Sequence, residues 1–266
     1  MDLDKIKSHL KTSLFGKNIY FFDELDSTNS YAMKLAREGA PEGTIVLTDF
    51  QKAGKGRLNR QWHAKKGENL LVSLLLRPEL EVDAVQKITL ATATILIASI
   101  RQFLKNRQFK ISGLEVKWPN DLLLHGKKLG GILTESKLHD KKIEALVLGI
   151  GMNINTPVSA MPAEIKDHAT SLVEAVGKPL SVESFLSIFL KRFEECYEKY
   201  ERTNYAGVVK EWKKYCQQIG KPILIHAPDA EDRGYFHDVD KDGYLIYRDE
   251  EGKLHRLITG EIEKIA

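Results

Sequence analysis

The sequence predicts an α+β fold that ends in a small all-β unit, and three observations carry the prediction. Up to about residue 218, apolar runs of strand length are interspersed with segments of helical period. Two of those segments, Val82 to about Phe103 and Val182–Glu201, are long enough to be principal core helices. From Gly220 the helical period disappears and short strands alternate with turn signals. The chain is therefore divided near Gln218, into residues 1–218 and a small barrel-like unit of residues 219–266.

Taken in order, residues 1–20 read as a short helix and a lead-in strand that ends in Ile19-Tyr20-Phe21-Phe22. Asp26-Ser27-Thr28-Asn29 is a run of capping residues, and Tyr31, Ala32, Leu35 and Ala36 follow it at helical spacing. Thr44–Thr48 is a buried strand. Residues 51–68 are rich in Gly, Lys, Arg, Asn and Gln, and a polar loop of that length in a compact domain is usually functional or disordered. Leu70–Leu76 is a strand, and the helix from Val82 carries too short an apolar run (Ile88–Ile100) to span a bilayer. Leu114–Trp118 and Asp121–Leu124 flank Pro119. Lys128–Leu138 and Ile143–Met152 pair as a hairpin across residues 139–142. Thr170–Val176 and Tyr205–Tyr215 are short helices. Between them, Val182–Glu201 lines up Phe185, Ile188, Phe189, Phe193 and Tyr197 on one face. The tail holds strands at Pro222–Ala227, Gly234–Val239, Tyr244–Tyr247 and Leu254–Ile258, with Asp240-Lys241-Asp242-Gly243 and Glu250-Glu251-Gly252 as turns.

Composition excludes several classes. With 40 basic and 37 acidic side chains the formal charge is +3, too balanced for a general nucleic-acid footprint. Two cysteines, Cys196 and Cys216, make no disulfide framework, and a reducing compartment follows more simply. The first residues lack the basic-then-apolar build of a signal peptide. The expectation is a cytoplasmic protein with no membrane partner.

Four segments carry chemistry. In Gln51-Lys52-Ala53-Gly54-Lys55-Gly56-Arg57-Leu58-Asn59-Arg60-Gln61-Trp62, glycines 54 and 56 let backbone N–H groups approach an anion, and Lys55, Arg57 and Arg60 add positive charge. Guanidinium groups hold phosphate oxygens through paired hydrogen bonds. The spacing is not that of a Walker loop, and the same residues also suit a solvated basic loop. Lys117-Trp118-Pro119-Asn120-Asp121 sets a lysine at a strand end before a rigid turn, an amide and a carboxylate. It reads either as a phosphate and Mg²⁺ site or as a capped β-turn. Lys127-Lys128-Leu129-Gly130-Gly131 puts two glycines on a strand, which marks a close approach or a bulge. Gly149-Ile150-Gly151-Met152-Asn153 ends a strand in small residues and an amide, a weak signal alone.

Together with Asp26-Ser27-Thr28-Asn29, these segments resemble the signature set of biotin protein ligases, in the same order and at similar spacing over nearly the whole chain. The Lys-Trp-Pro-Asn-Asp string and the Gly-x-Gly-Arg-x-x-Arg-x-Trp loop are the most specific parts. The resemblance implies a mixed-sheet catalytic domain and an SH3-like barrel over residues 219–266. It implies an enzyme that joins biotin to ATP as biotinyl-5′-AMP, releasing pyrophosphate. The biotin then passes to a lysine on the biotin carboxyl-carrier domain of an acetyl-CoA or related carboxylase.

Residue by residue, the resemblance gives Ser27, Thr28, Asn29, Gln51, Gly54, Gly130 and Gly131 to biotin. It gives Lys55, Gly56, Arg60, Trp62, Asn120 and Asn153 to ATP and AMP, and Asp121 to Mg²⁺. Arg57, Lys128 and Lys117 are the catalytic set, the first two shared with the biotin carboxylate and Arg57 also with the phosphates. The loop is expected to be mobile without ligand over residues 51–66 and ordered with it. The sequence departs from the family at Lys55, where an arginine is usual, so the planar fork is lost there. About 25 residues precede the Asp26 cluster, too few for the DNA-binding domain that many bacterial relatives carry, so no DNA partner is expected. The resemblance also implies a homodimer. Lipoate ligases share the fold and the two-step logic but generally lack the loop. A biotin-binding module without turnover is the rival outside enzymes.

Overall fold

The structure is a computed structural model that describes residues 1–140, 142–227 and 230–265. Lys141, one of the four residues of the expected 139–142 turn, lies outside the described residues. The first sheet holds seven strands in the order β1-β2-β3-β7-β6-β5-β4. They are β1 (Ile19–Phe22), β2 (Ile45–Thr48), β3 (Leu70–Leu76), β4 (Leu114–Lys117), β5 (Asp121–Leu124), β6 (Lys127–His139) and β7 (Lys142–Met152). Among the described strands of this sheet only β1 and β2 pair in parallel and the other neighbours pair antiparallel, so the expected mixed sheet is present.

The two faces of this sheet differ, and the difference positions the site. Side chains alternate along a strand. On β7, Leu146, Leu148, Ile150 and Met152 enter the main core, joined there by Val72 and Leu74 of β3. Of the helices α1 (Leu3–His9), α2 (Thr28–Arg37), α3 (Val85–Lys105), α4 (Leu172–Val176), α5 (Val182–Arg202) and α6 (Val208–Lys213), α3 and α5 cover that face, with Phe103 packed edge-to-face on Phe185. By length and composition α3 could cross a membrane, but here most of it is buried in this core. On the opposite face, Ala145 and Val147 of β7 pack under α2 (Thr28–Arg37) with Ala32, Leu35 and Ala36. Farther along the same face β7 offers only Gly149 and Gly151, so the sheet is left thinly covered there.

The second sheet is five-stranded and antiparallel, ordered β11-β10-β9-β8-β12. Its strands are β8 (Pro222–His226), β9 (Glu231–Val239), β10 (Leu245–Asp249), β11 (Leu254–Leu257) and β12 (Glu261–Lys264). The expected boundary at Gln218 falls between the short helix α6 (Val208–Lys213) and β8. Ile223, Phe236, Leu245 and Ile262 of this sheet belong to the same buried cluster as the first. The indole of Trp118 donates to the carbonyl of Gly243 at 3.0 Å, and Lys213 pairs with Asp238 at 2.6 Å. Strand β12 was not expected from the sequence. Only Ile262 of its four residues is buried, and its pairing partner, β8, lies far away in the chain.

Candidate active site

Antiparallel register brings three of the four segments onto one line. Gly151 of β7 lies opposite Gly131 of β6, Gly131 opposite Asp121 of β5, and Asp121 opposite Lys117 of β4. Neighbouring positions in such a row stand about 5 Å apart on one face of the sheet. The row therefore reads Gly-Gly-Asp-Lys, two positions without side chains and then a carboxylate and an ammonium. It forms the floor of a cleft of about 870 Å³, within the range of small-molecule sites.

One end of the cleft is an amide and hydroxyl pocket. Ser27 caps α2, its Oγ accepting from the Ser30 N–H. The Thr28 N–H and hydroxyl both donate to Gln51 Oε1, at 2.8 and 3.0 Å, which leaves the Gln51 NH₂ as the donor it presents. Ser73 of β3, fully buried, has its hydroxyl 2.8 Å from Thr28 Oγ1 and 2.6 Å from Asn29 Oδ1. The Asn29 NH₂ donates to the Leu133 carbonyl at 3.1 Å and to Glu135 at 2.7 Å. Asn29 lines the cleft, but its amide is engaged within the protein and ties α2 to the sheet. No local signal marked Ser73, which sits inside an apolar strand.

The other end is cationic. Lys128 Nζ is 2.7 Å from Asp121 Oδ1 and 6.0 Å from the ring centroid of Trp62. Trp62 packs against the sheet, where a Cβ on Gly151 would come within 2.6 Å of its indole. The loop before it folds on itself: Gly56 N–H donates to the Arg60 carbonyl, and Trp62 N–H to the Gly54 carbonyl. A single 3₁₀ turn, Arg57–Asn59, interrupts it, with Leu58 in the left-handed region at φ 49°. Arg57 is directed inward. Burial pulls its guanidinium below the ordinary arginine value, opposed by the charges of Glu261 and Asp121. Its Nε is buried with no partner among the described residues, which leaves one donor open to a ligand.

The remaining expected residues are placed unevenly. Lys55, Gly56, Arg60, Lys117, Asn120 and Asn153 all line the cleft. The Asn120 amide donates to the Ile132 carbonyl at 2.7 Å, and the buried Asn153 amide donates to the Thr170 carbonyl at 3.0 Å. Gly54 and Gly130 lie behind the wall. A Cβ on Gly54 would meet the Trp62 carbonyl at 2.7 Å, and one on Gly130 would meet the Gly151 carbonyl at 2.9 Å. These two glycines serve close backbone packing. Gly149 and Gly151 have a firmer purpose than the weak Gly-x-Gly signal allowed, since they make room for Asn29 and for Trp62. Sequence reasoning also missed the part of the cleft supplied from around the second sheet: Gln218, Lys221 and the strand β12, beginning at Glu261.

The arrangement can hold a two-part ligand. The neutral, hydrogen-bonding end suits a small polar ring, and the cationic end suits a carboxylate next to phosphates.

Comparison with known proteins agrees with this chemistry. Residues 21–153 match the family model described as the biotin/lipoate A/B protein ligase family. The bifunctional ligase/repressor BirA of Bacillus subtilis is 32% identical over 97% of this chain and 78% of its own length. A biotin–acetyl-CoA-carboxylase ligase of Paracoccus denitrificans is 31% identical over 86% of this chain and 93% of its own. Among solved structures, the biotin protein ligase of Aquifex aeolicus in complex with biotin and ATP superposes with a TM-score of 0.76 at 27% identity. That superposition covers 93% of this chain and 98% of the other.

Proposed function

The chain belongs to the biotin/lipoate A/B protein ligase family, and from that premise we propose that its cleft activates biotin with ATP and hands the biotinyl group to a lysine of an acceptor protein. Biotin ligation is the activity its similar relatives are named for, and the Aquifex aeolicus structure holds both small substrates. The observation that carries the reading is the Gly151-Gly131-Asp121-Lys117 row, with Lys128 and the inward Arg57 beside it.

The ureido ring lies against Ser27, Thr28 and the NH₂ of Gln51, which donates to its carbonyl. The flat glycine floor and Trp62 cover the apolar part. The carboxylate then reaches Lys128 and Arg57. Its oxygen attacks the α-phosphorus of ATP, the bond to the bridging oxygen breaks, and pyrophosphate leaves. Lys117, Arg57 and Arg60 offset the charge that builds on the phosphate oxygens; such preorganised donors supply most of the acceleration in chemistry of this kind. In the second half, a neutral lysine amine of the acceptor attacks the mixed-anhydride carbonyl, and AMP leaves with the bonding pair. No covalent enzyme intermediate is needed. The acceptor is the carrier domain of a biotin-dependent carboxylase.

Magnesium enters this scheme with the nucleotide. Among the described residues no group of three His, Cys, Asp or Glu is placed to hold a metal, and Asp121 is paired with Lys128. That suits an ion held by substrate phosphates and one carboxylate better than a dedicated cage. When bound, Mg²⁺ would neutralise phosphate charge, with Asp121 as its protein ligand. The test is transfer: purified chain, biotin, ATP and Mg²⁺ are incubated with a carboxylase carrier domain. Biotin on the carrier lysine supports the reading. Adenylate formation without labelling would keep the first half-reaction and reject that acceptor.

A further inference from the structure

We propose that Glu261 of the second sheet is an internal occupant of the arginine loop, competing with nucleotide phosphates for Arg60 and thereby lowering the affinity for ATP. The proposal rests on the functional reading above.

Two contacts and one unpartnered donor motivate it. Arg60 Nη1 is 2.7 Å from Glu261 Oε2, and the two side chains differ in setting: Arg60 is 61% exposed and Glu261 only 16%. The carboxylate is thus held in the cleft wall while the arginine reaches to it from the loop. Arg57 donates through Nη2 to the Gly260 carbonyl at 3.1 Å. Both loop arginines are therefore engaged by two consecutive residues at the start of β12. The cleft also holds Arg57's unpartnered buried Nε, so the pairing with the second sheet leaves phosphate-binding capacity unused.

The direction of the effect follows from charge. An incoming phosphate that takes Arg60 must break the pair with Glu261. The freed carboxylate then remains beside a polyanion. Both consequences penalise ATP, so removing the negative charge tightens binding. The Gly260 carbonyl contact to Arg57 is backbone-borne and survives a change at position 261. Partly exposed pairs are modest, and the expected gain for Glu261→Gln is about two- to fivefold in ATP affinity. Biotin, which binds at the amide end, gains nothing.

The experiment measures equilibrium binding of ATP, and of inorganic triphosphate, to the full chain, wild type against E261Q, with biotin binding as the internal reference. Tighter binding of both anions with unchanged biotin affinity supports the proposal. A double-mutant cycle isolates the pair: in an R60Q background, the gain from E261Q should shrink to the part that comes from repulsion between the carboxylate and the phosphates, and a gain as large as in wild type overturns competition for Arg60. Unchanged anion affinity in E261Q overturns the proposal, and weaker affinity overturns it in favour of Glu261 as a residue that positions Arg60. If wild type binds biotin but neither anion, the ATP-dependent reading fails and this proposal with it. Thermal unfolding of E261Q confirms that the comparison is made on folded protein.

Discussion

Asn29 occupies the space that a side chain on Gly149 would need: a Cβ at position 149 would overlap the Asn29 Oδ1. The amide at that point is fixed from three sides, by Ser73, Leu133 and Glu135. Gly149→Ala must therefore displace Asn29, and with it the start of α2. Overpacking of this kind costs about 1–3 kcal/mol. The expected outcome is a lower thermal midpoint together with a loss of biotin affinity. A variant with wild-type stability and biotin binding would show that Asn29 does not organise the pocket.

Ser73 is the buried link between Thr28 and Asn29, and Ser73→Ala removes it without adding volume. An unsatisfied acceptor costs about 1–3 kcal/mol, so the KM for biotin should rise roughly tenfold. The turnover number should change little, because Ser73 stands behind the residues that touch the ligand. Steady-state kinetics separates the two parameters, and an equal fall in kcat would argue against a positioning role.

Arg57 is a half-buried cation whose buried Nε has no protein partner among the described residues, and Arg57→Ala should slow adenylate formation by about a hundredfold or more, the usual cost of a lost preorganised donor. Single-turnover formation of the adenylate is the direct readout. Arg57→Lys should rescue only part of it, because the planar fork is lost.

The start of the loop is tied to residues 25, 26 and 28, but its tip, residues 55–61, is held by backbone bonds within the loop and by the contacts of Arg57 and Arg60 with residues 260 and 261. Residues 51–66 should resist protease far better with biotin and ATP together than without either. Equal cleavage in both conditions would mean that the loop does not close over the ligands.

The hydrophobic pattern made most of the fold legible. Leu70–Leu76 alternates between two buried faces and is a strand in full, and the aromatic stripe of α5 lies in the core. The helix expected from Val82 begins instead with a 3₁₀ turn at Val82–Ala84 before α3. Strand β12 was hidden because a single buried side chain, Ile262, gives no period to detect. The same limit applied to the site. Lys117, Asp121 and Lys128 carry their chemistry in their own side chains and could be singled out by type. Asn29 could not be assigned to an internal role, because its partners Ser73, Leu133 and Glu135 come from distant strands. The roles of Gly149 and Gly151 depend on what packs over them, Asn29 and Trp62, which no local spacing reveals. The contact of Arg60 with Glu261 joins residues separated by most of the chain, from before β3 to β12, and is a product of tertiary structure alone.

If this cleft forms an adenylate from biotin, labelled pyrophosphate should exchange into ATP in the presence of Mg²⁺. The exchange should require biotin and should not be supported by lipoate. Exchange with lipoate in place of biotin, or none with either acid in folded protein, would contradict adenylate formation from biotin.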